Sequence, residues 1–170
     1  YAIAIYGSQS VVVSLRRAKE RVLYEEILRS MSEGAAPTQR MFFAEELMLS
    51  EEEYSLMEQH AEEFAALGFE IEYRGGGAIA VEGRPAMIDT ATPLDELIYE
   101  LLKGIDLGEV PLNEERRRMA ELMARRGSAG YERKTKRAEA EEIIRALLKC
   151  DDYSFTASGA PIIAEITHDE

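Results

Sequence analysis

The apolar residues at the start of the chain change their period once, and that change constrains the fold more than any other feature. Tyr1 to Tyr6 (YAIAIY) alternates with a period of two, the period of a strand. Gly7-Ser8-Gln9-Ser10 supplies turn chemistry and Val11-Val12-Val13 resumes a β-branched run, so the segment reads as a hairpin whose second strand is well buried. From Ser14, an N-cap residue type, the period becomes helical. Leu15, Ala18, Val22, Ile27 and Met31 share one face, which predicts a helix to about Ser32, stopping before Gly34-Ala35-Ala36-Pro37.

The same punctuation divides the rest. Met41 to Leu49 reads as a strand, and Ser50 with Glu53 is a capping box opening a helix that Gly68 closes. Phe69 to Tyr73 and Ala78 to Val81 flank Arg74-Gly75-Gly76-Gly77, a second hairpin. Thr92-Pro93 starts a helix that Gly104 ends, and Asn113 caps another reaching Arg126. A last helix over about Lys136 to Lys149 precedes a strand near Pro161 to Ile166. The order ββα, βαββα, αα, β defines an α+β chain. The middle carries its own strand–helix–strand–strand–helix set, so residues 38–107 read as an α/β lobe inserted between the outer segments 1–37 and 108–170.

At 170 residues the chain suffices for one large domain or two small packed ones without covalent staples. Its one cysteine, Cys150, excludes an internal disulfide and a cysteine-rich zinc site and fits a reducing cytosol. No apolar run approaches the roughly 18 residues of a membrane helix, and a cytoplasmic location without membrane contact is expected. Tyr1 lies already inside an apolar alternation, which predicts a piece of a longer protein. The net charge of −13 disfavours nucleic-acid binding by the whole surface. The charge is segregated, however: residues 41–73 contain ten Glu and no Lys or Arg, while residues 116–137 contain nine Lys and Arg against Glu121 and Glu132. Two solvated helix faces explain this arrangement, and a weak duplex-DNA contact through Arg125, Arg126, Arg133 and Lys134 is the functional alternative.

Catalytic chemistry is hard to find in the residues themselves. The histidines are His60 and His168. Neither has the spacing to another ligand that zinc needs, and both are expected to be solvated. No serine lies in a nucleophile elbow. Gly75-Gly76-Gly77 lacks the Lys-Ser/Thr of a phosphate loop. Glu51, Glu52 and Glu53 complement a helix N-terminus. Glu20 and Glu25, five residues apart on one helix, project about 140° apart and would not chelate one ion by themselves.

A series of short segments nevertheless resembles the C-terminal dimerisation domain of the MutL family of DNA mismatch repair proteins. Val11 to Glu26 resembles the family's strand followed by D-Q-H-(A/R)-A-H-E-R-I-L-Y-E, with Arg17, Ala18, Glu20, Arg21, Leu23, Tyr24 and Glu25 at matching positions. Ala36 to Phe43 resembles the AP-x-Q-x-L-L-x-P segment. Leu49-Ser50-Glu51-Glu52, Leu67-Gly68-Phe69-Glu70-Ile71-Glu72, Gly75-Gly76-Gly77, Gly83-Arg84-Pro85-Ala86 and Gly159-Ala160-Pro161-Ile162-Ile163 continue it in order over essentially the whole chain.

The resemblance implies an outer dimerisation subdomain and an inserted regulatory one, with a separate N-terminal ATPase that holds ATP and Mg²⁺. No cofactor is expected in this segment. Its implied role is to tether two subunits as a homodimer, so that ATP-driven closure of the N-terminal domains forms a clamp, and to recruit repair partners. Many relatives carry a metal-dependent nicking endonuclease here. In this chain the motif positions hold Ser14, Arg16, Glu20, Glu25, Arg125 and Ala157, which lack the aspartate, histidines and cysteines of that site. A degenerate nuclease is the rival reading, and no enzyme activity is expected. Gln39, Met41, Phe42 and Phe43 resemble the family's sliding-clamp-binding peptide, with Ala44 where proline is usual; the alternative places Met41 and Phe43 in the core of the inner lobe. The expected dimer interface includes Ile3, Ile5, Val11 and Val13.

Overall fold

The computed structural model describes residues 1–34, 36–105 and 110–166. It separates into two compact units, one formed by Tyr1–Glu25 with the chain from Ser128 onward and the other by Glu26–Gly127. The second unit begins inside a helix and takes in the one after residue 110, so it is wider than the 38–107 segment read from the sequence; the boundary near 107 lies outside the described residues.

In the first unit β1 (Ala2–Tyr6), β2 (Gln9–Val13) and β6 (Ile163–Glu165) form an antiparallel sheet in the order β1-β2-β6. The hairpin and the helix α1 (Leu15–Glu33) match the periods read in the sequence. Val11 and Val13 of β2, Leu15, Ala18 and Val22 of α1, Ile143 and Leu147 of α7 (Arg137–Leu147), and Ile162 make the core. Each fully buried aliphatic side chain there contributes roughly 1.5–3 kcal/mol. Ser14 caps α1, its hydroxyl accepting from the Arg17 amide at 3.4 Å. A four-residue helix, α6 (Tyr131–Lys134), is absent from the sequence expectation. Its Glu132 carboxylate accepts from the Arg16 amide at 3.2 Å and from the Ser14 hydroxyl at 3.3 Å. A donor pair at the start of α1 is thus satisfied from 116 and 118 residues away, contacts no local pattern announces.

In the second unit β3 (Thr38–Met48), β5 (Ala78–Pro85) and β4 (Glu70–Gly75) form an antiparallel sheet with β5 in the middle. Ile79, Ala80 and Val81 are buried on both faces of that central strand. The capping box holds: the Glu53 amide donates to Ser50 Oγ at 3.1 Å and the Ser50 amide to Glu53 Oε2 at 2.9 Å. The helix it opens is broken, however, into α2 (Glu51–Gln59) and α3 (Ala61–Ala66) by His60, whose φ of −107° leaves the helical basin. Gly68 ends α3 at φ +97°, where a side chain would also meet the Pro37 carbonyl oxygen at 3.0 Å. Three helix ends differ from expectation. α4 (Leu94–Ile105) carries Gly104 inside its last turn, and α5 (Leu112–Ser128) starts before Asn113 and runs past Arg126 through Gly127. The Pro111 carbonyl accepts from the Glu114 and Glu115 amides at 2.9 and 3.1 Å, so the backbone before Leu112 opens α5, and Asn113 Oδ1 accepts from the Glu114 amide at 2.9 Å from inside the first turn. Among the described residues no helix is long and apolar enough to cross a membrane.

Candidate functional site: an apolar sheet face

The register of the first sheet decides which side chains face outward. Ala2 opposes Val13, Ile3 opposes Val12, Ala4 opposes Val11 and Ile5 opposes Ser10. Val12 in turn opposes Ala164 of β6. Directly opposed residues share a face, so Ala2, Ala4, Val11 and Val13 face the core while Ile3, Ile5, Val12 and Ala164 face away from it. Apart from Ser10, which opposes Ile5, the outward set is apolar where a solvated sheet would carry polar side chains. Tyr1, Ile3 and Ile5 are 76%, 76% and 80% exposed, and Ile166 beyond β6 is exposed as well.

The four residues expected at a dimer interface therefore divide. Ile3 and Ile5 lie on the open face, but Val11 and Val13 are only 5% and 2% exposed and belong to the core of their own unit. The sequence carried the information for this split: in a hairpin with a tight turn, parity alone separates the two pairs. It equally assigns Tyr1 and Val12 to the outer face, residues the sequence analysis left out.

Five of the six positions that the resemblance assigns to a metal site lie in the first unit. Ser14 is buried and donates to Glu132. Glu20 is 5% exposed, and Arg16 Nη1 lies 3.3 Å from its Oε2. Glu25 receives Arg21 at 2.8 Å and the amides of Asp151 and Asp152 at 2.9 and 3.4 Å. Burial raises the Glu25 pKa, but the Asp151 amide, Arg21 and the Asp152 amide together outweigh it and hold the carboxyl below its ordinary value. Ala157 has no ligand atom in its side chain, and Arg125 belongs to the other unit, paired with Glu121 at 2.7 Å. Among the described residues no group of three His, Cys, Asp or Glu side chains is placed to hold a metal ion. The described residues at these positions do not fit a metal.

In the second unit β3 leaves register with β5 between Arg40 and Glu45, so Met41 to Ala44 have no partner there. Phe42 is 103% and Phe43 87% exposed, and Gln39 is exposed beside them. Met41 is half-buried. Phe43 is therefore not a core residue of this lobe, against the alternative weighed from sequence. The basic section is mostly neutralised: Arg118 pairs with Glu114 at 2.9 Å, Arg116 with Glu63 at 3.6 Å, and Arg126 with Glu100. Arg133 is exposed, while the Lys134 side chain lies outside the described set. His60 is not solvated as expected, because its ring is 20% exposed and lies 3.6 Å from Glu115 and 4.0 Å from Glu63. His168 lies outside the described residues.

Packed small cores beside an uncovered apolar sheet face define an α+β assembly domain. The chain matches the family model of the MutL C terminal dimerisation domain over residues 1–135, and it belongs to that family. It is similar to DNA mismatch repair protein MutL of Gemmatimonas aurantiaca, with 40% identity over 75 residues covering 44% of this chain and 12% of that protein. The same-named protein of Sphingopyxis alaskensis is 32% identical over 150 residues (86% and 24%), and that of Mesorhizobium japonicum 27% over 168 (98% and 27%). The chain thus spans at most 27% of the length of these relatives.

Proposed function

We propose that this domain joins two identical mismatch-repair subunits through the outward face of the β1-β2-β6 sheet. The observation that carries this reading is the pair Ile3 and Ile5, three-quarters or more exposed on a regular, fully paired strand. An apolar patch of that kind on a folded domain marks a protein contact, and a two-fold pairing of the face with its own copy is the simplest way to cover it. Tethering makes association of the N-terminal ATPase domains intramolecular and raises their effective concentration, so ATP-driven closure forms a clamp. No endonuclease step is assigned to this domain, since Glu20 and Glu25 are each engaged by an arginine. Light scattering during size exclusion across a hundredfold dilution tests the reading. A dimer mass that persists supports it, and a monomer at every concentration defeats it.

A second contact is favoured by Phe42 and Phe43, which stand exposed on the unpaired stretch of β3 after Gln39. A short segment offering a glutamine amide and then two aromatic rings suits an apolar groove on a sliding clamp. Loss of clamp capture in Phe42→Ala/Phe43→Ala is the expected result. The basic section 116–137 is the weaker candidate for a duplex-DNA contact, because Arg118, Arg125 and Arg126 already hold carboxylates.

A further inference from the structure

Glu20 and Glu25 are the two acids left at a place where the resemblance implies a metal, and the structure gives both of them other work. A divalent ion needs oxygen or nitrogen ligands converging at about 2.0–2.6 Å on one point. Here each carboxylate has its own guanidinium one turn away on the same helix: Arg16 on Glu20 and Arg21 on Glu25. The second pair is 12% and 13% exposed, so it is little screened by solvent.

Glu25 does more than balance Arg21. Its two oxygens accept the backbone amides of Asp151 and Asp152, at the point where the chain leaves α7. The Asp152 carboxylate then accepts from the Ser154 and Phe155 amides at 2.8 and 3.2 Å. The Ser154 carbonyl accepts from the Ile162 amide at 2.8 Å, and the Ile162 carbonyl from the Ser14 amide at 2.9 Å. Arg17 Nη1 reaches the Pro161 carbonyl at 2.6 Å. This chain of hydrogen bonds runs from α1 to the residue before β6, the strand that completes the sheet. Each link pairs a backbone group that β6's short ladder cannot satisfy.

We infer that Glu20 and Glu25, the acids at the place where the resemblance implies a metal, form a metal-free clasp, in which arginines stand in the ion's place and Glu25 positions β6 and with it the edge of the dimer face. The clasp itself stands on the contacts above; its effect on dimerisation rests on the function proposed for that face. An arginine is covalently part of the chain, so the clasp is complete on folding and indifferent to metal supply.

The test uses the full chain, with amide exchange followed residue by residue in wild type, Glu25→Gln and the milder Arg21→Gln. In Glu25→Gln the Asp151 and Asp152 amides are expected to exchange faster by about tenfold, the scale of one lost charge-assisted hydrogen bond. The amides bonding β6 to β2 follow, and the dimer dissociation constant rises. Arg21→Gln moves the same readouts less, and it carries the test if Glu25→Gln does not fold. Mn²⁺ or Zn²⁺ added alone leaves the wild-type Tm unchanged. Exchange at 151 and 152 that neither variant alters overturns the clasp. A metal-dependent rise in Tm that Glu20→Gln abolishes overturns the replacement of the ion by arginine. Faster exchange with an unaltered dimer overturns the link to the sheet face. A wild type that is monomeric throughout defeats the proposed dimer but leaves the exchange readout of the clasp intact.

Discussion

Two uncovered apolar surfaces stand on backbones of opposite character. Ile3 and Ile5 lie on a strand whose every residue from Ala2 to Tyr6 is paired in register with β2. Phe42 and Phe43 lie on a stretch of β3 that has lost its register with β5. A paired strand holds its side chains in one plane at fixed spacing, which suits packing against another flat face. A stretch out of register offers protruding rings, which suits insertion into a groove supplied by a different partner. The regular surface is suited to self-assembly and the irregular one to recruitment.

Changing the regular surface should have the largest effect. Ile3→Glu or Ile5→Glu would bury a carboxylate without a counter-ion in the dimer, and the dissociation constant is expected to rise about 100-fold or more, read by sedimentation or light scattering. The fold should barely notice, because both side chains are in water in the single subunit. The opposite face of the same hairpin gives the complementary result. Val13→Ala removes core volume and should cost roughly 2 kcal/mol of unfolding free energy in urea titration, leaving subunit affinity nearly unchanged once the protein is folded. Reversal of those two outcomes would mean that the sheet presents its other face to the partner. On the irregular surface, Phe42→Ala/Phe43→Ala should change stability by less than about 0.5 kcal/mol and leave the dimer intact, while clamp capture falls.

This contrast also marks how much the sequence disclosed. The hairpin, α1 and the Ser50 capping box were legible because each is encoded within a few residues by a period or a cap. The α+β order followed from them. The placement of Val11 and Val13 inside and Ile3 and Ile5 outside needed only parity, yet an apolar strand with both faces apolar conceals which face is covered within the subunit. Tertiary capping was invisible: Glu132 and Asp151 are reached only through contacts more than a hundred residues long. The burial of His60 was missed for the same reason, since one of its carboxylate neighbours, Glu115, comes from another helix. The loss of β3 register at Met41 to Ala44 has no glycine or proline within that stretch to announce it, since the glycine at the break, Gly83 opposite Arg40, lies on β5.

The smallest expected effect is the acid limb of stability, and it separates the two units. Glu25 and Glu132 both belong to the first unit. Burial raises the Glu132 pKa, but the Arg16 amide, with further help from Ser14 and Arg16 itself, prevails and holds the carboxyl below its usual value; Glu25 is held down as well. A carboxylate with a depressed folded pKa contributes stability that is fully present above its unfolded value near 4.3 and disappears as pH falls through the lower folded value. Stability of the first unit should therefore decline below about pH 4.3, and Glu25→Gln/Glu132→Gln should flatten that limb while lowering the neutral plateau. The Glu132 side chain is 30% exposed, so its share of the slope is shallow and weakens in salt, whereas the better shielded Glu25 keeps more of its share. In the second unit Tyr73 gives the contrary limb. Burial, then Glu58 and Tyr54, push its hydroxyl up to about 12, and it donates to the Met57 carbonyl at 3.2 Å. A raised folded pKa contributes stability that is complete below the unfolded value near 10 and is lost as pH rises from there toward 12. Exchange protection of β4 amides that falls above pH 10 in wild type but not in Tyr73→Phe would place that alkaline limb in the second unit. A Tyr73→Phe variant with the same alkaline loss as wild type would remove it.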